Sequence, residues 1–432
     1  VDTECGWSYR EGVVEAVQRG LLDEKDLDRN LTRLLVERIR LGEFDDVEGQ
    51  WASLKEDIVE SQQHRALALK MTSESLVLLQ NRGGILPLDP SQKIALIGPN
   101  YDNPTMQLGN YNGSPEHIIT LRAALEELYP DLVSFPACGL ISQEFAGLMH
   151  SDEFTCKEAL THEEVLSRLE GIDVVVFAGG ISPRLEGEDL RLDIPGFMGG
   201  DRTSLELPEV QRSLIEALHD AGKKVVLVIF SGSALALVPE TQSCDGILQV
   251  WYPGQEGGTA IARTLMGLSN PSGRLPVTFY RSVEQLPDFH DYNMEGHTYR
   301  YFRGEPLYPF GYGLSYTTFK YLKAKVRRGK VVVQLRNTGG RDADEVVQLY
   351  LRRPDDASGP VKTLRGFKRV AVPARGKADV MFTLTDKELC VYDNNAGALA
   401  STPGTYRIYY GTSSDRRHLR HVDVRVKKPV LF

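Results

Sequence analysis

Four short runs near the middle of the chain, KIALIGPN (93–100), DVVVFAGG (173–180), KKVVLVIFSGS (223–233) and DGILQVWYPG (245–254), are apolar almost without interruption, and each ends in Gly, Pro or Ser. A strand with one wet face alternates apolar and polar residues, whereas an unbroken run is apolar on both faces, as in a parallel strand covered by helices on each side. Segments with helical spacing, such as LPEVQRSLIEALHDAG (207–222), lie between them. The pattern predicts an α/β sandwich with a mostly parallel sheet over 91–280. In such sheets ligands gather outside the carboxyl ends of the strands.

Upstream the period is helical. Val13, Ala16 and Val17, then Leu27, Leu31, Leu34 and Leu35, repeat at helix spacing, with Gly20 as a stop between two helices. These helices have an apolar face and no sheet of their own, so 1–50 reads as the helical end of a domain otherwise missing. A longer helix is expected over 61–80, within a linker spanning 51–90. Residues 281–328, rich in Tyr, Gly and Pro, read as an aromatic connector. Beyond it KVVVQLRNTG, DEVVQLYL, KADVMFTLT, GTYRIYYG and HVDVRVK alternate with turn signals between them. They predict an all-β immunoglobulin or fibronectin type III-like sandwich over 329–432.

A length of 432 residues fits two or three domains. The net charge of −9, with no long basic cluster, argues against a nucleic-acid or anionic-membrane partner, and no apolar run is long enough for a transmembrane helix. The five cysteines stand singly, which is neither a disulfide framework nor a zinc site. The opening VDTECGWSYREG carries no initiator Met and no signal segment and reads as the middle of a protein.

The densest chemistry comes directly after the run DVVVFA. In GGISPRLEGEDLRLDIPGFMGGDR (179–202), Glu186, Glu188 and Asp189 fall within four positions. Mutual repulsion raises the pKa of at least one such carboxyl, which suits a general acid. Arg184, Arg191 and Arg202 flank the cluster and are expected to hold the other carboxylates ionised. The plain alternative is a solvated, charged loop. Other signals are weaker. GQEGGTAIARTL is a glycine turn entering a helix, but no GxGxxG or Walker pattern occurs. FSGSA lacks the nucleophile-elbow spacing, and the histidines form no HxxxH pair, so neither a serine hydrolase nor a metal site is expected. Were the chemistry glycoside cleavage, a second carboxylate would have to face the first across a sugar. No other acid in the chain is equally placed.

At these residues the chain resembles glycoside hydrolase family 3, in the branch of β-xylosidases and β-glucosidases, over essentially its whole length. VDTECGWSY, AVQRGLLDEKDLDRNLTRLL and RLGEFD are similar to the end of the family's N-terminal barrel domain, and ALKMTSESLVLLQNRGGILPL to its linker. GGISPRLEGED and GGDRTSLELP resemble its acid/base loop. WYPGQEGGTAIARTLMGLSNPSGRLPVTFY and YRYFRGEPLYPFGYGLSYTTF resemble its C-terminal signatures.

The resemblance implies a retaining, exo-acting β-glycosidase built from a (β/α)8-type barrel, an α/β sandwich and a fibronectin-like domain. Its nucleophile would be an Asp on the barrel and its general acid/base a Glu on the sandwich. Carried onto this sequence, the acid/base is Glu186, with Glu188 as second choice. Arg184, Asp201 and Arg202 are candidate substrate-binding residues, although here LRLDIPGFMGG separates the Glu pair from the family's DR. The nucleophile is expected upstream of VDTECG; Asp2 and Glu4 lie beyond that motif.

The implied partners are a β-linked xylo- or gluco-oligosaccharide and the missing barrel, with no cofactor or metal. The oligomeric state is left open, and a periplasmic or extracellular location rests only on the family's habit. A second reading is a non-catalytic carbohydrate-binding or interaction module with GNYNGSP (109–115) and Trp251–Tyr252 as a stacking platform. A third is a phosphate or nucleotide binder at GQEGG.

Overall fold

The computed structural model describes residues 2–44, 56–148, 152–186, 192–199, 201–353, 356–357, 359–393 and 397–431, and the chain divides into two compact units, Val1–His64 and Arg65–Phe432. The first contains α1 (Ser8–Gln18) and α2 (Glu24–Arg40). Gly20, at φ 67°, stops α1, with its N–H on Val17 O and that of Leu21 on Ala16 O. Asp23 caps α2 by accepting from Lys25 N–H at 3.0 Å. Acidic residues in the first turn of α2 and Arg38 and Arg40 in its last complement the helix dipole. No residue of either helix is buried.

In the second unit a six-stranded sheet forms from β1 (Val77–Asn81), β2 (Ile94–Ile97), β3 (Val133–Phe135), β4 (Val174–Gly180), β7 (Lys224–Phe230) and β8 (Gly246–Gln249). Between β4 and β7 lie two short strands, β5 (Phe197–Met198) and β6 (Asp201–Arg202), paired with each other. The strand order is β1-β8-β7-β4-β2-β3, parallel throughout except at the β1 edge. Every residue of β2, β4 and β8 is buried, as the unbroken apolar runs require.

The helix expected over 61–80 is shorter: α3 (Gln62–Ser75) ends before β1. Leu76, Val77, Leu78 and Leu79 are all buried in succession. A helix with one face on a sheet cannot bury four consecutive residues, whereas a strand sandwiched between layers can. The connecting helices include α4 (Leu121–Leu128), α5 (His162–Arg168), α6 (Pro183–Glu186), α7 (Glu209–Asp220), α8 (Glu240–Ser243) and α9 (Gly257–Leu265).

The C-terminal part is antiparallel. β9 (Phe319–Arg327), β10 (Lys330–Asn337) and β13 (Lys377–Thr383) form one sheet; β11 (Ala343–Arg352), β12 (Thr363–Val372), β16 (Gly404–Gly411) and β17 (Arg420–Val426) form the other. A small third sheet joins β14 (Val391–Asp393), β15 (Ala398–Ser401) and β18 (Val430–Leu431). Val331, Val333 and Leu335 of one sheet share a core with Val347, Leu349, Tyr406 and Ile408 of the other. β9 falls inside the stretch expected as connector and pairs with β10 over most of its length.

The connector ties the two layers together. Leu314 N–H donates to Leu78 O at 2.8 Å and Tyr316 OH to Thr264 O at 2.8 Å. Gln348 Nε2 donates to Gly311 O at 3.0 Å. At the joint Arg274 and Glu345 form an ion pair at 3.1 Å with side chains 7% and 1% exposed, and Tyr321 OH donates to the same carboxylate at 3.1 Å. A buried pair of this kind is weak as a net stabiliser but severe to break, because one charge is left without its partner. Glu345→Ala should therefore destabilise the second unit by about 3–5 kcal/mol in urea unfolding, and replacing both partners with apolar residues of similar volume should restore most of that.

Candidate active site

The carboxyl end of β4 is fixed before the acidic loop leaves it. Gly180 has φ 118°, and a Cβ there would lie 2.0 Å from Phe230 O, so no other residue fits. Gln211, wholly buried on α7, accepts from Gly180 N–H at 2.9 Å and donates to Gly180 O at 2.8 Å and Leu140 O at 2.9 Å. Asn100 donates from its side chain to Gly179 O at 3.1 Å. Two residues on, Ser182 starts the turn of α6: its hydroxyl accepts from Leu185 N–H at 2.9 Å and its carbonyl from Glu186 N–H at 2.8 Å.

Glu186 thus stands at the end of a short, pinned helix, and the neighbouring strands meet it. Gly232 and Ser233 come just after the end of β7, and Tyr252 just after β8. Oε1 accepts from Ser233 N–H at 3.0 Å and from the Ser233 hydroxyl in a short contact; Oε2 accepts from Gly232 N–H at 3.1 Å and from the Tyr252 hydroxyl in another. A Cβ on Gly232 would come within 2.9 Å of both Glu186 Oε2 and the Tyr252 ring, so the approach requires glycine. Burial, and then the negative charge of Glu186, push the Tyr252 phenol far above its ordinary pKa, which keeps it a donor.

Arg202 closes the cluster. Its Nη1 donates to Ser233 Oγ at 2.9 Å and Ala234 O at 3.2 Å, while Nε and Nη2 are buried with no partner among the described residues. Burial lowers the guanidinium pKa, and the charge of Glu186 opposes that fall. Arg184, expected to flank the acidic cluster, pairs with Glu153 at 2.8 Å and is largely exposed. Ser182 and Arg184 border a cleft of about 220 Å³ that is also lined by Asn110, Tyr111 and Glu153. Asp201 is exposed and accepts from the N–H of Arg202 at 2.8 Å. Glu188, Asp189 and Arg191 lie outside the described residues.

The sequence picked out Ser233 only to dismiss it as a nucleophile, and Tyr252 only as a stacking ring. Their part in holding Glu186 depends on strand order, which the chain does not spell out. The one available signal was that both come after apolar runs whose ends face the same edge as the acidic loop. Trp251 donates its indole N–H to Ser75 O at 3.1 Å. In the GNYNGSP segment Asn110 donates to Pro183 O at 3.3 Å, and Tyr111 is almost fully exposed. At GQEGG the N–H of Gly257 is taken by Gly254 O and that of Gly258 by Ile119 O, and a Cβ on Gly258 would sit 2.1 Å from Thr120 O. These glycines let α9 pack against α4. Among the described residues no group of three or more acidic, His or Cys side chains is placed to hold a metal ion.

Comparison with known proteins covers both layers. The glycosyl hydrolase family 3 C-terminal domain matches residues 76–316 and the fibronectin type III-like domain residues 345–414. A xylan 1,4-beta-xylosidase of Xylanibacter ruminicola is 36% identical, covering 98% of this chain and 65% of the relative. A periplasmic beta-glucosidase of Salmonella typhimurium is 33% identical, covering 94% of this chain and 57% of the relative. The crystal structure of a beta-glucosidase from Listeria innocua in complex with isofagomine superposes with a TM-score of 0.80 at 28% identity, over 99% of this chain and 59% of that one. The chain thus spans less than two thirds of the length of these relatives. The first domain match encloses Glu186, Arg202, Ser233 and Tyr252 alike, and with the fibronectin-like match behind it the chain belongs to glycoside hydrolase family 3.

Proposed function

We propose that this chain supplies the general acid/base of a retaining, exo-acting β-glycosidase that cleaves short β-linked xylo- or gluco-oligosaccharides, and that Glu186 is that residue. The observation that carries the reading is the position of Glu186 at the carboxyl edge of the sheet, gripped by donors from the ends of two neighbouring strands. Relatives named as a xylosidase and a glucosidase support the substrate class. The reading assigns the nucleophilic Asp to a barrel domain in the part of those relatives that this chain does not span.

In this mechanism the Asp attacks the anomeric carbon while Glu186 gives a proton to the departing glycosidic oxygen. Glu186 then takes a proton from the water that breaks the glycosyl–enzyme bond. Both of its oxygens already accept hydrogen bonds, so engaging the glycosidic oxygen requires Glu186 to exchange one partner for substrate. Gly232 N–H and the Tyr252 hydroxyl, the two donors to Oε2, are the ones to be exchanged or re-formed in each cycle. Arg202, half-buried beside the carboxylate, supplies fixed positive charge. Arg184 and Asp201 are assigned to saccharide contacts at the rim.

Aryl β-xyloside and aryl β-glucoside assayed side by side should be turned over by a protein extended through the barrel and not by this chain alone; turnover by the 432-residue chain would refute the division of the site. In the extended protein Glu186→Gln should lower kcat/KM by about 10²–10⁴-fold on substrates with poor leaving groups and much less on activated aryl glycosides. Unchanged turnover on both would instead favour a binding module. Ser233→Ala and Tyr252→Phe should each lower kcat by roughly tenfold with little change in KM, since they orient the carboxylate rather than the sugar.

A further inference from the structure

A second cavity, of about 380 Å³, opens where the connector meets the β-sandwich. Its lining includes the rings of Tyr299, Phe302 and Phe310, the first and last stacked with centroids 4.1 Å apart. None of its residues belongs to the Glu186 cluster, and the inference does not rest on the reading of that cluster.

The charges in this cavity do not balance. Lys362, immediately before β12, lines it and is 6% exposed, yet makes no hydrogen bond or ion pair among the described residues. The acids nearby are committed to a different cation. Asp415 accepts from Arg417 at 2.8–3.1 Å, and Glu305 pairs with Arg417 at 3.0 Å. Arg416 and Arg303 add further positive charge to the lining. Thr278 Oγ1, also in the lining, is buried with no partner among the described residues. Burial, and then repulsion by Arg416 and Arg352, pushes the Lys362 ammonium down to about 8 against the pull of Asp415.

A protein interior holds an ammonium only where an acceptor offsets its lost hydration. Among the described residues the donors are present and no acceptor meets Lys362. We propose that this cavity binds an oxyanion carried on a small ligand, a carboxylate on a sugar ring or free inorganic phosphate, with Lys362 as its principal partner. Arg416 adds long-range attraction and Thr278 a hydroxyl. The aromatic lining offers apolar faces against which a ring can lie, and the volume suits one ring or less.

The test uses the whole 432-residue chain at fixed pH and ionic strength, with sodium glucuronate, inorganic phosphate, glucose and sodium chloride as probes in calorimetry and thermal unfolding. Glucuronate, phosphate or both should bind and raise the unfolding temperature, while glucose and chloride should not. Lys362→Met, which keeps the apolar stem, should weaken binding of the anion by about tenfold or more. Arg416→Ala, at an exposed position, should weaken it less. A response to glucuronate alone assigns the site to sugar carboxylates, one to phosphate alone assigns it to free phosphate, and an equal response makes the oxyanion itself the determinant. Failure of both anions to bind, or binding undiminished in both variants, overturns the proposal.

Discussion

Gln211 sits wholly buried under the end of the central strand, with its amide satisfying both backbone groups of Gly180 and the carbonyl of Leu140. A strand that ends in glycine would otherwise fray into the adjoining loop, because glycine loses the most conformational freedom on ordering. The side-chain amide replaces the ladder bonds that the sheet no longer supplies at that point. From there the arrangement propagates by register: Gly180 lies opposite Phe230, and Ile229 opposite Gln249. The segments leaving β4, β7 and β8 therefore depart side by side, and their first residues are brought to one place. The Glu186 cluster is a consequence of this departure.

Two arginines, each with buried nitrogens, show how differently one residue type is used here. Arg274 is the better matched: a buried carboxylate, itself held by a tyrosine hydroxyl, and two backbone carbonyls take its terminal nitrogens, leaving only its Nε without a partner among the described residues, and it fastens the α/β layer to the sandwich. Arg202 is only partly matched, with two of its nitrogens left without partners among the described residues. A scaffold tends to complete its buried polar groups, whereas incomplete satisfaction marks places where strain or a ligand enters the account. Lys362, with no acceptor of its own among the described residues, belongs with Arg202 in that respect.

Much of the fold was legible because continuous burial leaves a plain mark on composition. The four apolar runs became β2, β4, β7 and β8, and the alternating runs after 329 became sandwich strands. β1 was hidden because its apolar residues continue the helix before it without a break. β3 is only three residues long, and no periodicity can be read from VSF. At the site, the motif resemblance singled out Glu186 and the Arg202 that lies beside it. It did not foretell that Ser233 and Tyr252 hold the carboxylate, since they are 47 and 66 residues away from it in the chain and meet it only through strand order. The Arg184–Glu153 pair was hidden for a similar reason: Glu153 comes from a distant segment that charge spacing along the loop cannot reveal.

The four hydrogen bonds on Glu186 all come from segments outside its own loop. The residue is moored by its neighbours and by the short turn before it, so none of the described residues between it and Asp201 is needed to hold it. That frees the stretch between Glu186 and Asp201 to lengthen, shorten or change composition over evolutionary time while the carboxylate stays where it is. The stretch LRLDIPGFMGG, which stands between the Glu pair and Asp201, is the kind of segment in which such mooring tolerates variation. New recognition can be written into that stretch while the old chemistry is kept.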